Sequence, residues 1–220
     1  MKLLSSLVTV ATLAHTVSAH YIFFQATTGS QTGGAAIRQP RNNSPVESAT
    51  SNDLRCNSSP SAASTTASMA AGSSFSFKLD NTFYHPGPGA VYLGQVPSGQ
   101  TAANWDGSGA NWFKIAEYGA KFNPFGFVLD GQSTVSGTLP SSIQAGEYLL
   151  RVEQIGLHVA GAPQWYISCA QINVTGGGSA NPPKVSIPGH VSASDPGLSV
   201  NIYYPVPTSY KVPGPAVWRG

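Results

Sequence analysis

Short runs of alternating apolar and polar residues recur along the chain. In residues 74–79 phenylalanine or leucine alternates with serine and lysine, and residues 148–153 place Tyr, Leu and Val at every second position. Successive side chains of a strand point to opposite faces, so this pattern predicts half-buried β-strands. Further strands are predicted at Val91–Val96, Trp112–Ile115, Thr134–Leu139 and Val200–Tyr204.

The predicted strands are short and are separated by turn residues. The chain contains 24 Gly and 17 Pro, and no segment sustains a helical stripe of apolar positions. Many short strands with turn-rich connections favour an all-β antiparallel sandwich with long loops. The Ser-, Ala- and Thr-rich segment Ser58–Ala71 is predicted to be a surface loop.

The first 19 residues have the pattern of a secretory signal. A basic N-terminus precedes the apolar run Leu3–Ala14, and Val17 and Ala19 supply small residues before a cleavage point. We therefore predict a signal peptide at residues 1–19 and a single domain at residues 20–220. The protein is expected to be secreted and extracellular.

Cleavage after Ala19 would make His20 the first residue. A terminal histidine offers two nitrogen donors, the ring and the α-amine, and the amine has a pKa of about 7.7–8. A metal can displace that proton near neutral pH. The alternative is that cleavage simply happens to leave a histidine at this position.

Charge is sparse and nearly balanced. Charged residues make up 9% of the chain, and loss of Lys2 lowers the basic residues from 11 to 10 against 9 acidic ones, for a net charge of +1. Such a charge does not attract nucleic acid or an anionic membrane. It suits a neutral partner such as a polysaccharide.

Cys56 and Cys169 are the two cysteines of the chain. In an oxidising compartment they are expected to form one disulfide. A loop of more than 100 residues closed in this way gains about 4–5 kcal/mol in the chain-entropy description. Asn57 and Asn173 match the glycosylation sequon, and Asn42 also matches it but is followed by an unfavourable proline.

Two further stretches carry candidate site residues. His85 lies in the turn Tyr84–Pro88, whose prolines and glycine can fix a ring at a strand end. In the predicted strand that begins at Gln164, Gln164 and Tyr166 share one face, and His158 lies in the loop before it. Taken singly, a histidine in such a turn is more often a surface or hydrogen-bonded residue than a metal ligand. Such a tyrosine is more often a core residue with a hydrogen-bonded hydroxyl.

Together these motifs resemble the fungal lytic polysaccharide monooxygenases of auxiliary activity family 9, formerly glycoside hydrolase family 61. The resemblance covers essentially the whole mature chain. It rests on His20, the Tyr84-His85-Pro86-Gly87-Pro88 turn, Gln164-x-Tyr166-x-x-Cys169-x-Gln171, Ile187-Pro188-Gly189, Asp195-Pro196-Gly197, Asn201-Ile202-Tyr203 and Tyr210-Lys211-Val212-Pro213-Gly214-Pro215.

The resemblance implies an immunoglobulin-like or fibronectin-like sandwich that holds one copper ion in a histidine brace. The ligands would be the α-amine and ring of His20 and the ring of His85, with Tyr166 as the axial oxygen. His158 and Gln164 would hydrogen-bond the oxygen co-substrate and relay a proton. These two are the residues that the resemblance makes catalytic.

The implied reaction is oxidative. An external electron donor such as ascorbate or a redox enzyme, with O2 or H2O2, would support C1 and/or C4 hydroxylation and cleavage of β-1,4-glucan. Crystalline or amorphous cellulose is the expected substrate, hemicellulose is a second candidate, and the protein is expected to be a monomer. Tyr210 and Tyr21 are the candidate substrate-binding aromatics.

Some features depart from the family pattern, and other functions remain open. The chain has cysteines for one disulfide where many relatives have two, and the segment between His158 and Gln164 is short. A glycosidase would need two positioned carboxylates, and none of the 9 acidic residues lies in a motif with the suspected site. A non-catalytic copper- or carbohydrate-binding protein of the same fold is the stronger alternative. His190 is expected at the surface, whereas Trp112 and Phe113 are expected in the core.

Overall fold

In the computed structural model, which describes residues 20–220, two β-sheets pack face to face. The predicted signal peptide, residues 1–19, lies outside the described residues. The smaller sheet has four strands in the order β10-β5-β1-β2, all antiparallel. Their bounds are β1 Phe23–Thr28, β2 Gln31–Gly33, β5 Ser74–Leu79 and β10 Thr134–Thr138.

The larger sheet has seven strands and carries most of the site. Its order is β13-β7-β6-β11-β12-β3, and β4 pairs in parallel with residues 172–175 of β12, next to the residues that pair with β3. The bounds are β3 Ile37–Arg38, β4 Ala67–Ala70, β6 Gly89–Gln95, β7 Ala110–Tyr118, β11 Gly146–Gly156, β12 Gln164–Thr175 and β13 Val185–Ser186. A two-stranded ribbon, β8 Ala120–Lys121 and β9 Gly126–Phe127, adjoins it in sequence.

Apolar side chains fill the space between the two sheets. Each strand contributes alternate residues, as the sequence pattern requires. This first core includes Phe23, Phe77, Val91, Leu150 and Ile172, all fully buried. The sandwich predicted from the alternation is confirmed.

The outer face of the larger sheet is also covered, by loops rather than by a third sheet. A second core there includes Leu54, Trp105, Trp112, Leu149, Ile187 and Leu198. The covering chain includes a 3₁₀ helix at Asn52–Leu54, a one-turn helix α1 at Pro196–Ser199, and the β8–β9 ribbon, whose Phe127 belongs to this core. With a core on each side, the larger sheet is buried on both faces.

Within residues 20–220 no helix has the length and apolarity needed to cross a membrane.

Several local predictions are settled by the fold. Cys56 and Cys169 form the predicted disulfide. The predicted strand Val200–Tyr204 is wrong, because this segment is an irregular loop after α1. The predicted loop Ser58–Ala71 is wrong in its last residues, which form β4 against β12.

Two predictions concern burial. Trp112 and Phe113 are buried, as predicted. The prediction of a surface position for His190 is wrong: the side chain is buried in the second core, with Nε2 3.7 Å from the Glu153 carboxylate. The sequence carries no sign of this burial, because Pro188 and Gly189 before His190 interrupt any alternation of apolar and polar residues.

Candidate metal centre

His20, His85 and Tyr166 converge at one end of the sandwich. The ring centres of His20 and His85 are 6.0 Å apart, those of His20 and Tyr166 6.1 Å, and those of His85 and Tyr166 5.6 Å. Both histidines are partly exposed, whereas Tyr166 is buried. Three residues from distant parts of the chain therefore face one small volume at the surface.

His20 is held by the residues that follow it. The backbone of Ile22 pairs with Asp80, whose carboxylate accepts from the Ile22 N–H at 3.0 Å. The Asn43 side-chain amide donates to the carbonyl of His20 at 3.4 Å. Next to His20, Tyr21 is turned inward, and its hydroxyl donates to Gln154 Oε1 at 2.6 Å.

His85 is held by a turn that is bonded to β11. The carbonyls of Pro86 and Pro88 accept from the backbone N–H groups of Leu157 and Ile155, at 2.8 and 2.9 Å. Between these bonds, a side-chain carbon at Gly87 would collide with the Ile155 carbonyl. Glycine is required here because the backbone approaches β11 so closely.

Tyr166 lies on β12, directly opposite Gln154 of β11. Its hydroxyl donates to Gln164 Oε1 at 3.0 Å. Burial raises the pKa of Tyr166, and the nearby Tyr84 and Glu47 raise it further. The phenol is therefore neutral at physiological pH.

His158 and Gln164 stand on either side of the hairpin loop that joins β11 to β12. The ring of His158 stacks on that of His85, with centres 4.1 Å apart and planes 19° apart. A side-chain carbon at Gly156 would lie 3.2 Å from His85 Cβ and 3.3 Å from His158 Nδ1, so the missing side chain makes room for this stack. The short segment before Gln164 thus still brings His158 to the site.

The protonation state of His158 follows from its surroundings. Burial lowers its pKa, and the adjacent His20 lowers it further. Within residues 20–220 its buried Nδ1 has no hydrogen-bond partner. His158 is therefore a neutral imidazole at physiological pH, with Nδ1 turned towards Gly156.

The donor set fits a copper ion. A metal–imidazole bond of about 2 Å puts an ion about 3 Å from each ring centre, so two rings opposed across one ion have centres about 6 Å apart. The separation of 6.0 Å between His20 and His85 meets this condition. Residues 20–220 contain no cluster of three His, Cys, Asp or Glu side chains arranged for a metal. The third strong donor would instead be the α-amine of a mature His20, and imidazole and amine nitrogens suit copper.

The predicted substrate-binding aromatics fare differently. Tyr21 is 1% exposed, so the prediction that it touches a polymer is wrong; its ring lies against Tyr166, with centres 4.3 Å apart. Tyr210 is half-buried, packs edge-on against Phe127, and donates to the Gly197 carbonyl at 3.0 Å. Its contact with substrate stays a prediction.

Two exposed tyrosines near the site were missed by the sequence reasoning. Tyr203 is 60% exposed and its hydroxyl donates to the carbonyl of His158 at 3.2 Å, while Tyr204 is 83% exposed. Tyr203 stood in one of the tail motifs, but the alternation that predicted a strand there gave no reason to single it out.

Gln154 and Glu47 were also missed. Gln154 is buried between Tyr21 and the backbone of His85, to whose carbonyl it donates at 2.9 Å. Glu47 accepts from Gln164 Nε2 at 3.4 Å. Gln154 lies two positions from the apolar Val152 in the alternating stretch, so a polar residue at a core-facing position was the available signal.

The two predicted glycosylation sites differ in accessibility. The side chain of Asn57 is buried, and its Nδ2 donates to the carbonyl of Ile167 at 3.0 Å. This burial disfavours a glycan on Asn57, and its use stays a prediction. Asn173 is half-buried on β12, and its use stays a prediction.

Comparisons with known proteins agree with this geometry. The profile of Auxiliary Activity family 9 (formerly GH61) matches residues 15–210. The AA9 family lytic polysaccharide monooxygenase H of Malbranchea cinnamomea is 50% identical over 94% of this chain and 96% of its own. The corresponding monooxygenase E of Podospora anserina is 50% identical over 99% of this chain and 75% of its own.

A solved structure extends the likeness to the fold. The crystal structure of a cellulose-active polysaccharide monooxygenase from M. thermophila superposes with a TM-score of 0.78 at 33% identity, covering 91% of this chain and all of that one. The family and the fold class predicted from the sequence are both confirmed. The chain therefore belongs to Auxiliary Activity family 9 and is an oxidoreductase, a lytic polysaccharide monooxygenase that acts by copper-dependent oxidative cleavage.

Proposed function

We propose that the protein is a secreted enzyme that binds one copper ion through the α-amine and ring of His20 and the ring of His85, and oxidises β-1,4-glucan at C1, at C4 or at both. The convergence of His20, His85 and Tyr166 is the observation that carries this proposal. Cleavage after Ala19 would free the amine. Secretion follows from the same signal.

Copper, when bound, would supply one-electron chemistry with O2 or H2O2 after reduction by an external donor. The chain's own residues prepare the site for it. The two histidines supply nitrogens, and the neutral Tyr166 offers only a weak oxygen donor, because burial opposes its ionisation.

His158 and Gln164 would relay protons and orient the oxygen co-substrate through hydrogen bonds. His158 is a neutral imidazole at physiological pH and can donate or accept a proton at the site. Gln164 is held between two partners: its Oε1 accepts from Tyr166, and its Nε2 donates to Glu47. That arrangement fixes the plane of the amide beside the co-substrate.

A polysaccharide would lie on the exposed tyrosines beside His158. Aromatic rings pack well against the C–H groups of sugars. Tyr203 is tethered to the His158 carbonyl, so a sugar bound on its ring would lie next to the centre. Cellulose is the proposed substrate, since the M. thermophila monooxygenase of the same fold is cellulose-active, and hemicellulose is a second candidate.

The test is mass spectrometry of products formed by mature protein whose first residue is His20. Copper-loaded protein with cellulose, ascorbate and O2 or H2O2 should release aldonic or C4-oxidised oligosaccharides. Omission of the reductant, or the His85→Ala substitution, should abolish them. Native oligosaccharides alone, formed without reductant, would contradict the proposal.

A matched control isolates the α-amine. A protein with one extra alanine before His20 keeps both imidazoles but converts the amine to an amide. It should bind copper more weakly and lose oxidation. If it behaves like the mature protein, the brace at His20 is refuted.

A non-catalytic binding protein is the alternative function. It predicts copper binding without oxidised products on cellulose, xylan, glucomannan or chitin. His158→Ala and Gln164→Ala should lower oxidation more than they lower copper affinity. Equal loss of both properties would count against the proposed roles of these two residues.

A further inference from the structure

The side chain of Gln154 forms hydrogen bonds with both chain segments that carry the proposed histidine ligands. It lies on β11 with no exposed surface, facing the core between the sheets. Its Oε1 accepts from the Tyr21 hydroxyl at 2.6 Å, and its Nε2 donates to the carbonyl of His85 at 2.9 Å. One planar amide thus joins the residue after His20 to His85 itself.

The third proposed ligand, Tyr166, is the cross-strand neighbour of Gln154 in the larger sheet. Gln154 is paired in register with Tyr166 on β12, and with Gly89 at the start of β6 on its other side. The ring of Tyr21 lies against Tyr166 with centres 4.3 Å apart. Each of the three proposed ligands is therefore within one residue of a direct contact with Gln154.

Burial makes these contacts costly to break. A buried hydroxyl or carbonyl without a partner loses its hydration and gains nothing in return. The Tyr21 hydroxyl and the His85 carbonyl each form a hydrogen bond with this one amide. Because donor and acceptor lie at a fixed separation in an amide, the two bonds together constrain the distance between the Tyr21 hydroxyl and the His85 carbonyl.

We propose that Gln154 is a positioning residue that sets the separation of the His20 and His85 imidazoles, and so the geometry of the bound copper. Its side chain has no exposed surface, so it would act without touching the metal or the substrate. An amide is suited to this role because it can accept from the Tyr21 hydroxyl and donate to the His85 carbonyl. The carboxylate of a glutamate has no donor for the His85 carbonyl, and an apolar residue could form neither hydrogen bond. The inference rests on the proposed copper site.

The test compares Gln154→Met with Val152→Ala in copper-free and copper-loaded mature protein. Methionine keeps the length of the side chain and removes both hydrogen bonds. Val152 is fully buried on the same face of β11, two positions away, and its truncation reports the effect of a core defect that removes no hydrogen bond. Copper affinity by calorimetry, the Cu(II) EPR spectrum and the thermal midpoint of the copper-free protein are measured for each.

Partners in the outer shell of a metal site are worth about 10–100-fold in metal affinity. Gln154→Met is expected to weaken copper binding by about 10-fold or more and to change the EPR hyperfine coupling. Val152→Ala should lower the thermal midpoint and leave both copper readouts as in the wild type. Gln154→Met with wild-type affinity and an unchanged spectrum would overturn the proposal.

Two further measurements keep the test decisive. If Gln154→Met does not fold, Tyr21→Phe removes one of the two bonds with little change of shape, and should shift the same spectrum in the same direction by less. An unchanged spectrum for Tyr21→Phe would then overturn the proposal. Failure of the wild-type protein to bind copper would instead refute the proposed function, which separates the two outcomes.

Discussion

The buried ion pair between Arg151 and Glu153 allows a quantitative prediction about stability. The guanidinium and the carboxylate are 2.7 Å apart, with side chains 0% and 1% exposed, in the second core. Arg151 also donates to the carbonyls of Leu54 and Arg55, at 2.8 and 3.0 Å. Arg151→Met would leave a buried carboxylate and two buried carbonyls without this partner.

Removal of one partner of a buried pair costs about 3–5 kcal/mol. In a domain of this size each kcal/mol lowers the midpoint by about 2–4 °C, so Arg151→Met should lose about 6–20 °C. Calorimetry of the copper-free protein is the assay, because a bound metal would add its own stabilisation. Asp106→Asn is the control: it breaks the 2.8 Å pair between Arg55 and the exposed carboxylate of Asp106, and should cost less than about 1 kcal/mol.

A double variant distinguishes the loss of the ion-pair attraction from the cost of leaving the Glu153 carboxylate buried without a partner. Arg151→Met with Glu153→Leu removes both charges, and should recover much of the lost stability because no ion is left unpaired. If Arg151→Met costs less than about 1 kcal/mol, or the double variant is less stable than the single one, the reasoning from desolvation fails.

The same carboxylate gives a pH dependence. Burial opposes ionisation of Glu153, but Arg151 and His190 outweigh it and lower its pKa from 4.5 to about 2. The unfolded chain therefore takes up this proton first, and the stabilisation, full above pH 4.5, is lost as the pH falls towards 2. Thermal midpoints of the copper-free protein should fall more steeply over that range than those of Glu153→Gln. Equal slopes would contradict the assignment.

Three other substitutions test the loops around the site. Gly87→Ala should disrupt the turn, because the new carbon collides with the Ile155 carbonyl, and copper affinity should fall with it; an unchanged affinity by calorimetry would contradict the geometry. Tyr203→Ala should weaken adsorption to cellulose in a pull-down while the copper EPR spectrum is retained, and full adsorption would exclude this ring as a binding surface. Replacing Cys56 and Cys169 by serine should cost about 4–5 kcal/mol in chemical denaturation, since the bridge closes a loop with a sequence separation of 113 residues, and a loss under about 1 kcal/mol would contradict the loop-closure account.

The sandwich and the main strands were predictable because alternation reflects a physical constraint. A strand with one buried face must be apolar at every second residue, and Phe75, Phe77 and Leu79 obey this rule. Where both neighbours of a residue are irregular, the rule gives no information. The loop after α1 shows this. Tyr203 and Tyr210 both lie in irregular chain, yet Tyr203 is exposed and Tyr210 is half-buried.

The metal-site residues were predictable from motifs, but their supports were not. His85 stood in a turn of unusual composition and His20 at a cleavage point, whereas Gln154 stood in an ordinary strand. Its role depends on which side chains lie opposite, and this is set by the register between β11 and β12. The burial of Tyr21 likewise follows from its bond to Gln154, which the order of residues does not reveal.

The arrangement of the larger sheet also bears on how the protein behaves when crowded. The longest strands, β11 and β12 with 11 and 12 residues, lie inside the sheet. In the part of the chain that the structure describes, the flanking strands β13, β3 and β4 have only 2, 2 and 4 residues. Short edge strands give another chain little backbone to pair with. We expect the enzyme to stay dispersed at the high local concentrations reached on a polymer surface, where neighbouring molecules would otherwise associate through their sheet edges.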